Sequence, residues 1–220
     1  MLKPLRKLFA MLAFTAALTL SARNSGDVDN PHFGVRVTYD YNNTTSYNHI
    51  VHGGSGFSAG ASYYAPIGRI AYFNTGLMFF YDTFEYDGET GEDATLARIN
   101  GSLSMLGLKL PLQIGVKFYQ TRNVRISVMT GPQLYYNFSM RSKFDRERAG
   151  DLEHVAKTVN SNGMDVTWGI GAAVDFNRHW HLQAEYNIGL VDFTSVRTID
   201  IGYDGSLKRS EFSVGIGYNF

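Results

Sequence analysis

His179 and His181 stand two residues apart, a spacing that can put two imidazoles on one face of an extended chain. Two imidazoles are half of a tetrahedral zinc set, and even a catalytic zinc needs a third protein ligand. None stands nearby, so a turn histidine beside an inward-facing one accounts for the pair. His49 and His52 carry no more weight. Asp82, Glu85, Asp87, Glu89, Glu92 and Asp93 could hold a divalent cation, but their spacing is not that of a calcium loop, and a solvated acidic segment is the default. Ser46, His49, Asp151 and His154 are hydrolase residue types, yet no spacing assembles a nucleophile, a base and an orienting group. The expectation is no catalytic constellation, no metal and no cofactor.

A different set of charges is ordered. Arg36, Lys109, Lys117 and Arg125, with Asp40, Asp165, Asp175, Glu185 and Glu211, all fall on the polar side of segments that alternate strictly between apolar and polar residues. A period of two means strands. The final segment is the clearest: Phe212, Val214, Ile216, Tyr218 and Phe220 alternate with Glu211, Ser213, Gly215, Gly217 and Asn219. Seven more segments read the same way, near 33–41, 57–64, 73–81, 106–118, 124–138, 165–176 and 180–190. No charge interrupts any of the eight apolar faces.

That absence fixes the environment. A Lys or Arg facing the lipid midplane costs roughly 2–4 kcal/mol, whereas a face turned to water carries no such ban. A soluble barrel of the lipocalin type alternates too, with its apolar face inward. Here the polar face is crowded with Gly, Ser and Ala, which suit a narrow interior, and the apolar face carries the large aromatics. The fold expected is all-β, an eight-stranded antiparallel up-and-down transmembrane barrel. Its connections alternate: short near 66–69, 120–123 and 177–179, long near 42–56, 83–102, 140–163 and 192–209. Short turns belong to the periplasmic side of such barrels and long loops to the outside. In the third long connection, Leu152, Val155 and Ala156 at helical spacing predict a short helix. Pro111 and Pro132 sit inside strands of a barrel with no free edge, which predicts a bulge or a gap in the ladder there.

Composition agrees and excludes other classes. The chain has 220 residues, 20 Lys+Arg against 20 Asp+Glu, and no cysteine. Balanced charge leaves no footprint for nucleic acid. Without cysteine there is no acylation site for a lipoprotein. Lys3, Arg6 and Lys7 precede the uncharged run Leu8–Leu20, and Ser21-Ala22 follow, the three-part pattern of a secretory signal peptide. The run is short of the roughly 20 apolar residues a spanning helix needs. The expected organisation is a cleaved signal over 1–22 and a barrel domain over 23–220. Removing the signal leaves 17 basic against 20 acidic residues.

The stretch EFSVGIGYNF, residues 211–220, resembles the terminal assembly signal of bacterial outer-membrane barrels. That resemblance implies recognition by the barrel assembly machinery through Phe212, Val214, Ile216, Tyr218 and Phe220. LGLKLPLQIGVKF at 106–118 and YNIGLVDF at 186–193 resemble the PorT-like barrels of Bacteroidota, one subgroup of which serves protein secretion. The expected location is the outer membrane, with lipid as one partner and a surface or secretion partner through the long loops. An eight-stranded barrel is just wide enough to be filled by side chains, and the mixed-sign interior favours a plugged scaffold. A small channel or secretion component is the alternative, and a lipid-modifying enzyme the second.

Overall fold

The computed structural model describes residues 30–46, 51–90, 97–121, 123–148, 151–159, 163–177, 179–195 and 206–220. The expected signal over 1–22 lies outside them. The strands are β1 (His32–Ser46), β2 (Val51–His52), β3 (Gly54–Ile67), β4 (Ala71–Thr90), β5 (Ala97–Gln120), β6 (Val124–Arg148), β7 (Asp151–Val159), β8 (Met164–Phe176), β9 (Trp180–Ser195) and β10 (Ser206–Asn219). Eight of them, all but the accessory β2 and β7, form an antiparallel ring in chain order. β10 returns to β1 from Gly34↔Asn219 to Ser46↔Leu207 and closes it. A closed ring satisfies every ladder internally, the condition lipid imposes on a spanning sheet.

The strands are staggered. One row of cross-strand partners runs from Tyr41 through Phe212, Tyr186, Ile170, Thr130, Ile114 and Phe73 to Ala65. Ala65 lies one residue past Tyr64, the partner of His32, so the row returns to β1 about ten residues from its start. Such a shift tilts the strands and leaves a narrow interior.

Alternation now has a physical face. Val35, Val37, Ile114, Val128, Ile170, Leu182, Val214 and Ile216 point outward and are exposed, forming an aliphatic belt. Aromatics border it on both sides. Tyr39, Tyr41, Phe57, Tyr81, Tyr136, Phe138, Tyr186 and Phe212 stand toward the long hairpins, and Phe33, Phe118, Trp180, Tyr218 and Phe220 toward the short turns. Paired aromatic girdles around an apolar band mark the two interfaces of a transmembrane barrel.

The prolines leave gaps of the kind expected. Between β5 and β6 the ladder passes from Pro111↔Gln133 to Ile114↔Thr130 without a register shift, skipping the rungs at Pro132 and Gly131. Between β4 and β5 it passes from Thr75↔Leu112 to Met78↔Lys109, skipping the two rungs opposite Pro111 and Leu110. The bulges of the β5–β6 pair lie elsewhere, at Leu106/Gly107 and Lys117/Tyr119.

Two expectations are corrected. The long connections are largely strand, because ladder pairing continues past the apolar belt to Thr90↔Ala97 in β4–β5 and Ser206↔Ser195 in β9–β10. The helix expected around 152–156 is the strand β7, paired with β6 from Met140↔Val159 to Arg148↔Asp151. β6 emerges beyond its last rung with β8, Tyr136↔Met164, with a row of unpaired backbone groups. Pairing these outweighs the helical spacing of three residues.

Candidate functional site: the charged lumen

Side chains of even parity on β1 and odd parity on β10 point into the barrel, as do their counterparts on the other six strands. The sequence therefore supplies the lining directly. Arg36, Asp40, Lys109, Lys117, Asp165, Asp175, Glu185 and Glu211 are all buried there, and Arg125 is nearly so. The lining divides into two clusters.

The cluster toward the long hairpins is built on Lys109 of β5, Glu211 of β10 and Asp40 of β1. Lys109 Nζ donates to Glu211 Oε1 at 2.5 Å and lies 3.9 Å from Asp40 Oδ1. Thr38 and Ser58 hydroxyls donate to Asp40 at 2.9 and 3.0 Å. Ser213 Oγ donates to Glu211 at 2.6 Å, and the Tyr135 hydroxyl lies 3.2 Å from its other oxygen. Two residues of this cluster come from stretches in which the sequence predicts connections rather than strands. Arg209, fully buried, donates from Nη1 to Asp82 Oδ2 at 2.6 Å, and its Nε lies 3.3 Å from Asp165 Oδ2. The guanidinium also sits 4.4 Å from the centre of the Tyr135 ring and 5.0 Å from that of Phe80. Phe80, Phe84, Leu103, Met105 and Met140 are fully buried in the same part of the interior.

A carboxylate oxygen from each of Asp40, Asp82 and Glu211 falls within 4.8 Å of the others, a grouping that could coordinate a cation. Lys109 and Arg209 already supply positive charge to it at 2.5–3.9 Å. The arrangement is a buried ion-pair network.

Glu185 of β9 sits between the clusters. Gln113 Nε2 donates to it at 2.6 Å, and Gln133 Nε2 donates both to it and to Asn187.

The cluster toward the short turns is centred on Asp175 of β8. Arg125 Nε donates to Asp175 Oδ2 at 3.0 Å, His181 Nδ1 lies 2.8 Å from Oδ1, and Asn219 Nδ2 donates to Oδ1 at 3.3 Å. Arg125 also stacks on Tyr64, 4.4 Å from the ring centre. The two histidines expected as a turn and lumen pair are separated accordingly. His181 is buried on Asp175, while His179 stacks on Tyr218 at 5.4 Å. His52 Nε2 lies 3.0 Å from the Asp87 carbonyl. His49 and the side chains of Ser46, Asp151 and His154 lie outside the described residues.

Charge is segregated along the axis. Among the described residues, the short-turn half carries Arg36, Lys117 and Arg125 together with Asp175. The long-hairpin half carries Lys109 and Arg209 against Asp40, Asp82, Asp165 and Glu211. The sequence showed mixed sign, but only the register shows that the signs separate.

A lipid-facing outer surface, a closed eight-strand ring and a polar lumen define a bacterial outer-membrane β-barrel. The family model described as "Outer membrane protein beta-barrel domain" matches residues 9–220, and the chain belongs to that family. Among solved structures, it is similar to Ail, the attachment invasion locus protein of Yersinia pestis, at 12% identity and TM-score 0.44, covering 86% of this chain and 98% of that one. Neisserial surface protein A matches at 14% identity and TM-score 0.36, covering 87% and 100%. The N-terminal barrel domain of Pseudomonas aeruginosa OprF matches at 12% and 0.28, covering 84% and 97%. No curated relative matches the chain.

Proposed function

We propose that this chain is a closed outer-membrane barrel, filled by its own side chains, whose extended hairpins stand outside the cell and make its contacts. The observation that carries this reading is the burial of the lining. From Asp175 to Arg209 the inward charged side chains are buried or nearly so, and opposite charges engage one another. An open pore would leave that lining wetted. The mixed composition of the lumen also lacks the single dominant sign of a selective conduit.

On this reading the short turns face the periplasm and the hairpins β4–β5, β6–β7 and β9–β10 face outward. The C-terminal strand serves as the assembly signal, with Phe212, Val214, Ile216, Tyr218 and Phe220 presented to the assembly machinery. Outer-leaflet lipid is the surrounding partner, and a surface or secretion partner meets the hairpins. A small channel or a secretion component of the PorT-like kind is the alternative reading, and intact secretion after deletion of the gene would count against the latter.

Epitope insertion on intact cells tests the orientation. A tag between Ala149 and Gly150 should label without permeabilisation, and a tag between Gly68 and Arg69 only after it. The reverse pattern overturns the reading.

A further inference from the structure

In the long-hairpin cluster an amine and two carboxyl groups meet almost entirely out of water. Lys109 of β5, Glu211 of β10 and Asp40 of β1 are all buried. Lys109 Nζ donates to Glu211 Oε1 at 2.5 Å and lies 3.9 Å from Asp40 Oδ1. Carboxyl oxygens of Asp40 and Glu211 lie within 4.8 Å of each other. The buried Tyr135 ring covers the amine, its centre 5.3 Å from Nζ.

We propose that Lys109 and Asp40 condense into an intramolecular isopeptide bond, with Glu211 carrying the protons. The surroundings of the two carboxyl groups assign their roles. Glu211 accepts from Lys109, Ser213 and Asn187 and lies 3.9 Å from Arg209 Nη1, a set of donors that suits a carboxylate acting as a base. Asp40 is held by one hydroxyl on each oxygen, Thr38 on Oδ1 at 2.9 Å and Ser58 on Oδ2 at 3.0 Å. Those hydroxyls sit where negative charge develops on the carboxyl oxygens as nitrogen adds.

The step balances within the three side chains. Glu211 takes a proton from the ammonium and passes it to Asp40, leaving a neutral amine and a neutral acid. Surroundings that penalise separated charge favour this transfer. The lone pair of Nζ adds to Asp40 Cγ and forms the C–N bond. One C–O bond then breaks with its electron pair on oxygen, and a second proton from nitrogen, again through Glu211, completes the departing water. Ammonium and carboxylate become amide and water, with no net proton, oxidant or co-reactant. Groups held together by the barrel wall react without the entropic cost of meeting. The product joins β5 to β1, which are not neighbours in the ring, and so fastens the lumen covalently whichever way the barrel points.

The test reads mass. The chain is purified unfolded in urea and then refolded into detergent. Intact mass should fall by one water on refolding, and protease digestion should yield a branched peptide joining Lys109 to Asp40. Lys109→Arg keeps a cation but has no nucleophilic amine, and it should retain the full mass. Glu211→Gln should lose water about a hundredfold more slowly, and a rate equal to that of the wild type overturns its role as proton carrier. An unchanged mass in the folded wild type overturns the proposal. So does a loss of water that persists in Lys109→Arg, or a branch at Glu211 in place of Asp40. Should a variant fail to fold, the digest of the refolded wild type decides: the Lys109–Asp40 branched peptide supports the bond, and separate linear peptides refute it.

Discussion

Arg209 of β10 donates a 2.6 Å hydrogen bond across the lumen to Asp82 of β4, joining positions 127 residues apart. Neither strand is the other's neighbour in the ring, so the pair ties two non-adjacent walls of the barrel near the long-hairpin end. Both side chains are almost entirely buried, and Phe80 and Tyr135 flank the guanidinium. Removing one member of such a pair is costly because the other stays buried as an uncompensated charge.

Arg209→Met should therefore destabilise the barrel by about 3–5 kcal/mol, since Asp82 and Asp165 both lose their cation. The double variant Arg209→Met/Asp82→Asn should recover part of that loss. Urea unfolding in detergent, followed by Trp fluorescence, gives both values. A double variant as unstable as the sum of its parts would rule out direct coupling.

The Lys109–Glu211 pair makes a parallel case with a different residue chemistry. Lys109→Met leaves both Glu211 and Asp40 without their ammonium and should cost about 3–5 kcal/mol. Lys109→Met/Glu211→Gln should cost less than Lys109→Met alone, by the same unfolding assay.

The outer belt predicts a contrast by position. Ile170, 61% exposed at the middle of β8, should tolerate Leu but lose about 2–4 kcal/mol as Arg in lipid vesicles. Arg141→Leu, beyond the aromatic border, should change stability by less than about 0.5 kcal/mol. Equal costs at the two positions would mean that the belt does not mark the lipid.

These contrasts also show where the sequence was legible. Alternation exposed the outer face because lipid forbids charge there, and the same parity led to the nine charges of the lumen. That signal ends where the apolar face ends. Arg209 has the parity of Glu211 and Ser213, and Asp82 that of Met78 and Phe80. Extending period two past the belt would have found both. The ladder carries on into water because backbone pairing does not depend on lipid, whereas the apolar signal does. β7 was missed for a related reason, since its pairing with β6 is a tertiary fact that overrides three residues of helical spacing. Phe80, Phe84, Leu103, Met105 and Met140 were hidden because apolar residues on an otherwise polar face carry no periodic signature.

Phe220 separates assembly from stability. Its side chain is 73% exposed, and its backbone N–H donates to the Phe33 carbonyl at 2.8 Å, a bond any residue would keep. Phe220→Ala should fold in detergent with nearly wild-type stability, yet reach the outer membrane in several-fold lower amount. Membrane fractionation and heat-modified gel mobility read the two effects, and equal outer-membrane levels would remove the strand's role as an assembly signal.

The central claim is that paired side chains close the lumen, and single-channel recording in planar bilayers tests it most directly. The wild type should leave the bilayer silent, while Arg209→Ala, which opens the tie between β10 and β4, should show discrete current steps. Steady wild-type steps equal to those of the variant would contradict the account.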